Sequence, residues 1–355
     1  MIKILIVDDS AVYRLLLKKA LNGVSDIEVV GVASDGQEAI ELIPSLKPDV
    51  LTLDLNMPRM NGMETLAVLS VKYPHVKVVV VAAATYKDAE SAVSILEAGA
   101  FDVVVKPKAN DPTPMRTLSD ELIPKLQAAV QKKTSLQKSV SAQTTPVVKA
   151  PIVQRSSNGY QPDIVAIGSS TGGPAALSEV VKGLPADCPV PIVIVQHMPK
   201  LFIESLCSRL DSLTSLNCCV AEDGMGLHAG SVYFAPGESH LDVVRAAGEK
   251  LKARLHDGPP EHHCRPAVDV TLRSLHALAP SVSTLVVILT GMGADGAKGA
   301  KLLADANARV IAQDEATSVV WGMPGQTVKL GAANEVLALR DIASAIKRYV
   351  AGRLK

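Results

Sequence analysis

The sequence predicts an α/β protein with two domains, each built on its own wound sheet. Short apolar runs alternate with stretches of helical periodicity before residue 133 and again after residue 160, a pattern typical of parallel sheets covered by helices. Residues 133–160 are rich in Ser, Thr, Gln, Lys and Pro and contain no acidic side chain, as in flexible linkers. The 355 residues suffice for two cores. We therefore expect domains at 1–132 and 161–355, joined by a linker at 133–160.

Five strands are predicted in the first domain, at 3–7, 28–33, 50–54, 76–83 and 102–105. Between them, the stretches at 11–21 and 36–46 repeat apolar residues three and four positions apart, so each should form a helix with one buried face. An amphipathic stretch near 115–132 is expected to close the domain as its last helix. Because parallel strands need helical crossovers, these elements predict a sheet with helices on both faces.

Seven strands are predicted in the second domain, at 163–168, 191–197, 231–235, 241–246, 250–256, 285–290 and 309–313. Helical stretches separate most of them, which predicts a doubly wound, mostly parallel sheet. The middle three are close together and are separated only by polar turns. We therefore predict that these three form an antiparallel hairpin patch attached to the parallel sheet.

Composition and charge exclude several classes of protein. The 36 basic and 36 acidic side chains cancel, so no overall field attracts nucleic acid or anionic lipid. The longest apolar run, at 78–84, is far shorter than the ~20 residues that cross a bilayer, and the N-terminus lacks the apolar core of a signal peptide. We expect neither membrane insertion nor export. An odd number of cysteines, five, favours free thiols in a reducing cytosol and hence a cytoplasmic protein.

Charged side chains follow three strands of the first domain. Asp8 and Asp9 end the first strand, Asp54 ends the third and Lys106 follows the fifth. Ligands of parallel sheets bind beyond the carboxyl ends of the strands, so these side chains are expected to converge. Three carboxylates repel one another unless a divalent cation neutralises them, and oxygen ligands suit Mg²⁺. Asp54 is the candidate phosphoryl acceptor, with Lys106 balancing the charge. The alternative is that Asp8 and Asp9 cap a helix, Asp54 merely ends its strand and Lys106 is solvated.

These residues also stand in recognisable motifs, namely VDDS at 7–10, LD at 53–54, MP at 57–58 with NG at 61–62, and KP at 106–107. With them the first domain resembles a response regulator receiver domain. The resemblance implies a flavodoxin-like (βα)5 fold, phosphorylation of Asp54 by a sensor kinase, and Mg²⁺ as the cofactor of that reaction. It implies metal ligation by Asp8, Asp9, Asp54 and Asn56, and contact of Lys106 with the phosphoryl group.

One stretch departs from the receiver pattern. Receivers usually carry Ser or Thr at the end of the fourth strand, where this chain has three alanines at 82–84 followed by Thr85. Either Thr85 contacts the phosphoryl group instead, or that contact is missing. The departure bears on the strength of phosphorylation switching.

A serine motif follows the first strand of the second domain. Gly168 to Gly172 spell G-x-S-x-G between a predicted strand and a predicted helix, the setting in which this motif presents a nucleophilic serine. The turn has neither the Lys of a P-loop nor the spacing G-x-G-x-x-G, so nucleotide binding is disfavoured. Glycines permit a tight turn, and the amides at the helix start face developing negative charge.

A serine nucleophile needs an imidazole base, itself oriented by a carboxylate. His197 ends the neighbouring predicted strand, and Asp295 lies in a glycine-rich segment after the strand at 285–290. Asp223, Asp257 and Asp269 are alternatives that spacing does not exclude. The cluster of His262, His263 and Cys264 suggests zinc, but no second ligand pair stands at the required spacing.

The second domain carries GSSTGG at 168–173, QHMP at 196–199, HCRPAVD at 263–269, LTGMGADG at 289–296, and QDEA through GMP at 313–324. With these motifs, residues 161–340 resemble the catalytic domain of the CheB family of chemotaxis protein-glutamate methylesterases. The resemblance implies Ser170 as nucleophile, His197 as base, Asp295 as orienting carboxylate and the Met292 amide as oxyanion donor. Ser169 stands where relatives often have Ala, which leaves open a role for the neighbouring hydroxyl.

The resemblance implies a phosphorylation-regulated hydrolase of γ-glutamyl methyl esters on methyl-accepting chemotaxis receptors, which also deamidates receptor glutamines. The same resemblance implies that the esterase needs no cofactor and that the phosphodonor is the sensor histidine kinase CheA. The receiver is expected to cover the Ser170 crevice until Asp54 is phosphorylated. The alternative is a response regulator whose output domain binds a partner without catalysis. Transcriptional output is disfavoured because the second domain shows no helix-turn-helix pattern and no basic stripe.

Overall fold

The computed structural model describes residues 1–108, 110–130, 159–245, 250–279 and 281–351. The chain divides into two compact units, at 1–134 and 135–355. Of the predicted linker, only residues 159 and 160 belong to the described residues. In the described part of the chain, no helix is both long enough and apolar enough to cross a bilayer.

Among its described residues, the first unit holds one parallel sheet of five strands with five helices. The strands are β1 (Ile2–Val7), β2 (Ile27–Ala33), β3 (Val50–Leu53), β4 (Lys77–Ala82) and β5 (Asp102–Val105). The helices are α1 (Ala11–Leu21), α2 (Gly36–Leu46), α3 (Gly62–Lys72), α4 (Tyr86–Glu97) and α5 (Pro114–Val130). The strand order is β2-β1-β3-β4-β5, and all pairs are parallel. The predicted strands are confirmed to within one residue.

The second unit holds a seven-stranded sheet and a separate two-stranded sheet among its described residues. The strands are β6 (Ile164–Ser169), β7 (Ile192–Gln196), β8 (Asn217–Val220), β9 (Ser231–Phe234), β10 (His240–Arg245), β11 (Leu251–His256), β12 (Thr284–Ile288), β13 (Arg309–Gln313) and β14 (Glu335–Leu337). The helices are α6 (Gly173–Lys182), α7 (Lys200–Leu213), α8 (Val268–Leu278), α9 (Ala297–Asp305), α10 (Met323–Lys329) and α11 (Leu339–Val350). The large sheet has the order β14-β13-β12-β6-β7-β9-β8.

The hairpin patch differs from its prediction. β9 was expected in the hairpin, but it pairs in parallel with β7 and β8 inside the large sheet. The antiparallel pair consists of β10 and β11 alone. Every residue of β9 is buried, and a strand covered on both faces belongs within a parallel sheet rather than in a half-solvated hairpin. The short edge strands β8 and β14 were not predicted.

The strand order places a crevice beside β6. The chain continues from β6 to β7 on one side, whereas β12 lies on the other side. At such a reversal the loops after neighbouring strands diverge to opposite faces and leave a cleft beyond their carboxyl ends. The loops after β6, β7 and β12 therefore meet, and these loops carry the predicted serine, histidine and aspartate.

Candidate catalytic and phosphoacceptor sites

The acidic residues of the first unit converge as predicted. Val7 of β1 pairs with Leu53 of β3, so the following residues Asp8 and Asp54 are neighbours. The Lys106 Nζ lies 2.8 Å from Asp8 Oδ2 and 3.0 Å from Asp54 Oδ2. Carboxylate oxygens of Asp8, Asp9 and Asp54 lie within 4.8 Å of one another. One lysine and three carboxylates thus occupy one edge of the sheet.

Backbone amides orient two of these carboxylates. Asp8 Oδ1 accepts from the Ser10 N–H at 2.9 Å, and Asp54 Oδ1 accepts from the Leu55 N–H at 2.8 Å. The second oxygen of each carboxylate is left for Lys106 or a cation.

Burial, together with repulsion from Asp8, raises the pKa of Asp54 despite the Lys106 charge. Burial lowers the pKa of Lys106, but contacts with Asp8 and Asp54 reverse this and raise it, so the lysine stays charged.

Three clustered carboxylates with a surplus of negative charge fit a hard divalent cation such as Mg²⁺. The fourth predicted ligand, Asn56, directs its side-chain amide to Asp88 of α4.

Thr85, the candidate phosphoryl contact, is the N-cap of α4. Its hydroxyl accepts from the Asp88 N–H at 3.1 Å and donates to Asp88 Oδ2 at 2.8 Å. The structure therefore gives Thr85 a capping role, and its contact with a phosphoryl group stays a prediction.

Tyr13 is a contact of this site that sequence reasoning missed. Its ring centroid lies 4.6 Å from the Lys106 Nζ, a cation–π distance, and its hydroxyl donates to the Pro107 carbonyl at 3.4 Å. Nothing in the local pattern of α1 distinguishes this tyrosine from a solvated one. The contact depends on how α1 packs beside the end of β5.

In the second unit, the register of β6 and β7 places the predicted nucleophile and base directly after adjacent strand ends. Ser169 pairs with Gln196, so Ser170 and His197 are the next residues of neighbouring strands. The His197 N–H donates to the Ser169 carbonyl at 3.1 Å, and the Ser170 N–H donates to the Thr290 carbonyl at 3.1 Å. The ends of β6, β7 and β12 are thereby tied together.

Asp295 reaches His197 directly. Its Oδ2 lies 2.8 Å from His197 Nε2. The carboxylate is 1 % exposed and also accepts from the Val268, Asp269 and Gly296 amides at 2.6, 2.8 and 2.9 Å. Two of these amides begin α8, whose N-terminus favours negative charge. Burial raises the pKa of Asp295, but His197 and the amides lower it overall, so Asp295 stays ionised.

The contact with Asp295 determines both the pKa of His197 and which of its ring nitrogens carries the proton. Burial lowers the pKa of His197, but the Asp295 carboxylate and the Cys264 thiol beside the ring outweigh burial and raise it. Because the carboxylate accepts a proton at Nε2, the neutral ring keeps its lone pair on Nδ1. Nδ1 is therefore the nitrogen that can accept a proton from a neighbouring serine. The effect of Cys264 on the pKa of His197 was not predicted from the sequence.

The Met292 loop lies against Ser170. A Cβ added to Gly291 would lie 2.9 Å from the Ser170 Cβ, so only glycine permits this approach. Gly293 follows with φ +78°. The Gly291 carbonyl accepts from the amides of Gly322 and Met323, which fixes the loop. Among the described residues, no backbone carbonyl accepts a hydrogen bond from the Met292 N–H, and the role of this amide as an oxyanion donor stays a prediction.

The alternative carboxylates have other partners. Asp223 accepts from the Leu255 N–H at 2.8 Å, and Asp257 accepts from the Ser239 hydroxyl at 2.9 Å. Asp269 accepts from the Gly299 N–H at 2.6 Å and from His262 Nε2 at 3.0 Å. None of these contacts involves the His197 ring.

Comparisons with known proteins show the family of the chain and of its two domains. The family model for CheB methylesterase matches residues 165–346, and that for the response regulator receiver domain matches residues 4–113. A protein of Geobacillus kaustophilus named protein-glutamate methylesterase/protein-glutamine glutaminase is 42% identical over 353 residues, covering 98% of this chain and 99% of the relative. The chain belongs to the CheB methylesterase family.

Other CheB relatives support the same assignment. A Bacillus subtilis protein with the same name is 38% identical over 356 residues, covering 99% of both chains. The crystal structure of the Thermotoga maritima CheB methylesterase catalytic domain is 44% identical, covers 52% of this chain and 97% of that chain, and has a TM-score of 0.50. The predicted resemblance to CheB with an N-terminal receiver is confirmed, and the enzyme is a hydrolase.

Proposed function

We propose that this protein hydrolyses γ-glutamyl methyl esters on methyl-accepting chemotaxis receptors and deamidates receptor glutamines, with phosphorylation of its receiver as the control. The observation that carries the proposal is the His197–Asp295 contact of 2.8 Å at the strand end beside Ser170. Relatives that align over nearly the full chain are named for both activities.

In the proposed mechanism, Ser170 Oγ attacks the ester carbonyl while His197 Nδ1 takes its proton. Asp295 holds the imidazolium that forms. The Met292 N–H and the amide after Ser170 stabilise the oxyanion. His197 then returns the proton to the leaving oxygen, methanol departs, and water hydrolyses the acyl-enzyme by the same steps. A glutamine side chain would follow the same path and release ammonia.

The competing proposal is an output domain that binds a partner without catalysis. Incubation of the full-length protein with membranes that carry methylated receptors separates the two. Methanol release at a rate proportional to protein concentration supports the esterase. Binding to the receptors without methanol release contradicts it.

In the receiver, Asp54 is the proposed phosphoryl acceptor and CheA the proposed phosphodonor. Asp8, Asp9 and Asp54 would hold Mg²⁺, which would neutralise charge on the phosphoryl group during transfer. Lys106 stays charged beside Asp54 and would balance the remaining charge. A cytoplasmic location is part of the proposal, and it rests on the odd number of cysteines.

We expect a small acyl phosphate with Mg²⁺ to phosphorylate and activate the wild-type protein but not the variant Asp54→Asn, because an amide is a poor nucleophile toward phosphorus. Phosphorylation is measured by intact-protein mass and activation by methanol release. Asp120→Asn, at an exposed position on α5, is the control and should behave like wild type. Phosphorylation of Asp54→Asn at the wild-type rate would refute the acceptor assignment.

The rate of ester hydrolysis should rise with pH, with its half-maximum above 6.5, the ordinary histidine pKa. His197 acts as base only when unprotonated, and its raised pKa delays deprotonation to higher pH. Initial rates of methanol release, corrected for spontaneous ester hydrolysis, give the profile. A half-maximum at or below pH 6.5 would show that Asp295 does not stabilise the protonated ring.

A further inference from the structure

A buried side-chain pair, Ser169 and Gln196, joins the loops that carry the proposed nucleophile and base. Ser169 is the last residue of β6, Gln196 is the last residue of β7, and the two are paired in register. Their side chains are 0 % and 1 % exposed. The Ser169 hydroxyl donates to Gln196 Oε1 at 2.6 Å.

The other end of the Gln196 carboxamide holds two backbone carbonyls. Nε2 donates to the Ser170 carbonyl at 3.0 Å and to the His197 carbonyl at 3.1 Å. Carbonyl oxygens only accept hydrogen bonds, so the amide nitrogen must face them and Oε1 must face Ser169. One side chain thus uses both of its N–H donors to join the strand end of Ser170 to that of His197.

These contacts also set the direction of a peptide group. The Ser170 carbonyl accepts from the Gly173 N–H at 2.7 Å as well as from Gln196. In a trans peptide the C=O and N–H point in opposite directions, so fixing the Ser170 carbonyl also fixes the direction of the Thr171 N–H. That amide follows the nucleophile, where serine hydrolases place an oxyanion donor.

The backbone makes room for this arrangement. A Cβ on Gly173 would lie 1.9 Å from Gln196 Oε1, so glycine at this position allows the carboxamide to lie against the turn. The Ser169 hydroxyl, which precedes the proposed nucleophile in the G-x-S-x-G segment, is thereby held as a partner of Gln196.

The geometry points to Ser169 and Gln196 as positioning residues that align Ser170 with His197 and orient the peptide after the nucleophile. The inference rests on the proposed function. Neither side chain touches the reacting atoms, so both act through the backbone of the nucleophile and base. Because misplacement of a reacting group by about 1 Å costs on the order of 10²-fold in rate, their loss should lower kcat rather than raise KM.

The test uses the full-length variants Gln196→Met and Ser169→Ala. Gln196→Met keeps the side-chain length but removes all three hydrogen bonds, and kcat should fall by roughly 10-fold to 100-fold with little change in KM. Ser169→Ala removes one hydrogen bond, and kcat should fall by about threefold to tenfold. The rate at which a small fluorophosphonate modifies Ser170 should fall in parallel, because that reaction needs the same alignment.

Asn334→Leu is the matched control. Asn334 is a buried carboxamide in the same domain, its Oδ1 accepts from the Val310 N–H at 2.8 Å, and it does not contact Ser170 or His197. This variant should lose stability but keep the wild-type kcat per active site, as counted by fluorophosphonate titration. Gln196→Met should also keep the pH of half-maximal rate, because the His197–Asp295 contact remains.

Wild-type kcat and wild-type fluorophosphonate reactivity in Gln196→Met would overturn the inference. If that variant does not fold, Ser169→Ala decides, and an unchanged kcat overturns it. An inactive Ser170→Ala together with a fully reactive Gln196→Met would refute only the positioning role. A fully active Ser170→Ala would refute the proposed function.

Discussion

Ser170→Ala should lose at least ~10³-fold of the methylesterase rate while the protein stays folded. The side chain is half-buried directly after β6, in the position of the serine of the G-x-S-x-G motif. Residual catalysis would come from the oxyanion amides and from substrate binding. Methanol release from methylated receptors measures the rate, and the thermal midpoint of unfolding checks the fold.

Ser169→Ala is the informative comparison, because the two serines are adjacent and only one is proposed as nucleophile. It should keep far more activity than Ser170→Ala, and a fluorophosphonate should still label it. An active, unlabelled Ser170→Ala beside an inactive Ser169→Ala would assign the nucleophile to Ser169. In that case the hydrogen bond to Gln196 could not be a resting contact of the enzyme.

Asp295→Asn should lower kcat on the order of 10³-fold to 10⁴-fold. The amide oxygen would take the place of Oδ1, which accepts from the Asp269 and Gly296 amides. The NH₂ group would then face His197 Nε2 and donate to it, which moves the ring proton to Nδ1. A protonated Nδ1 cannot accept the proton of Ser170.

The same variant should shift the pH profile in a defined direction. Asp295 raises the pKa of His197, so its neutralisation should lower that pKa and move the half-maximum of the residual rate to lower pH. The NH₂ group would also oppose the Val268 N–H, which should destabilise the fold by about 1–3 kcal/mol. Asp223→Asn and Asp257→Asn are the controls, and both should keep the wild-type rate. Loss of activity in either control, with an active Asp295→Asn, would reassign the acid.

Much of the fold could be predicted because most strands are buried on both faces. Such strands read as near-continuous apolar runs, as β3 and β4 of the first unit do, and they stand out from the amphipathic helices between them. β8 and β14 were missed because they are short edge strands of four and three residues. β9 was placed wrongly because proximity along the chain suggested a hairpin, whereas its burial requires a place inside the sheet.

The candidate site could be predicted where it depends on strand ends. Ser170, His197 and Asp295 follow strands that share one edge, so their placement in one crevice requires only parallel pairing in the right order. The contacts of Gln196 and Tyr13 were not predictable in this way. They depend on the register of two strands and on helix packing, and neither leaves a local signal in the sequence.

The four hydrogen bonds on Asp295 have a spectroscopic consequence. Val268 and Asp269 donate their amide protons to the carboxylate that holds His197. The chemical shifts of these two protons report the charge they face, so nuclear magnetic resonance can follow the ionisation of the imidazole without a label on the substrate. The start of one helix thus serves as a built-in reporter of the catalytic proton.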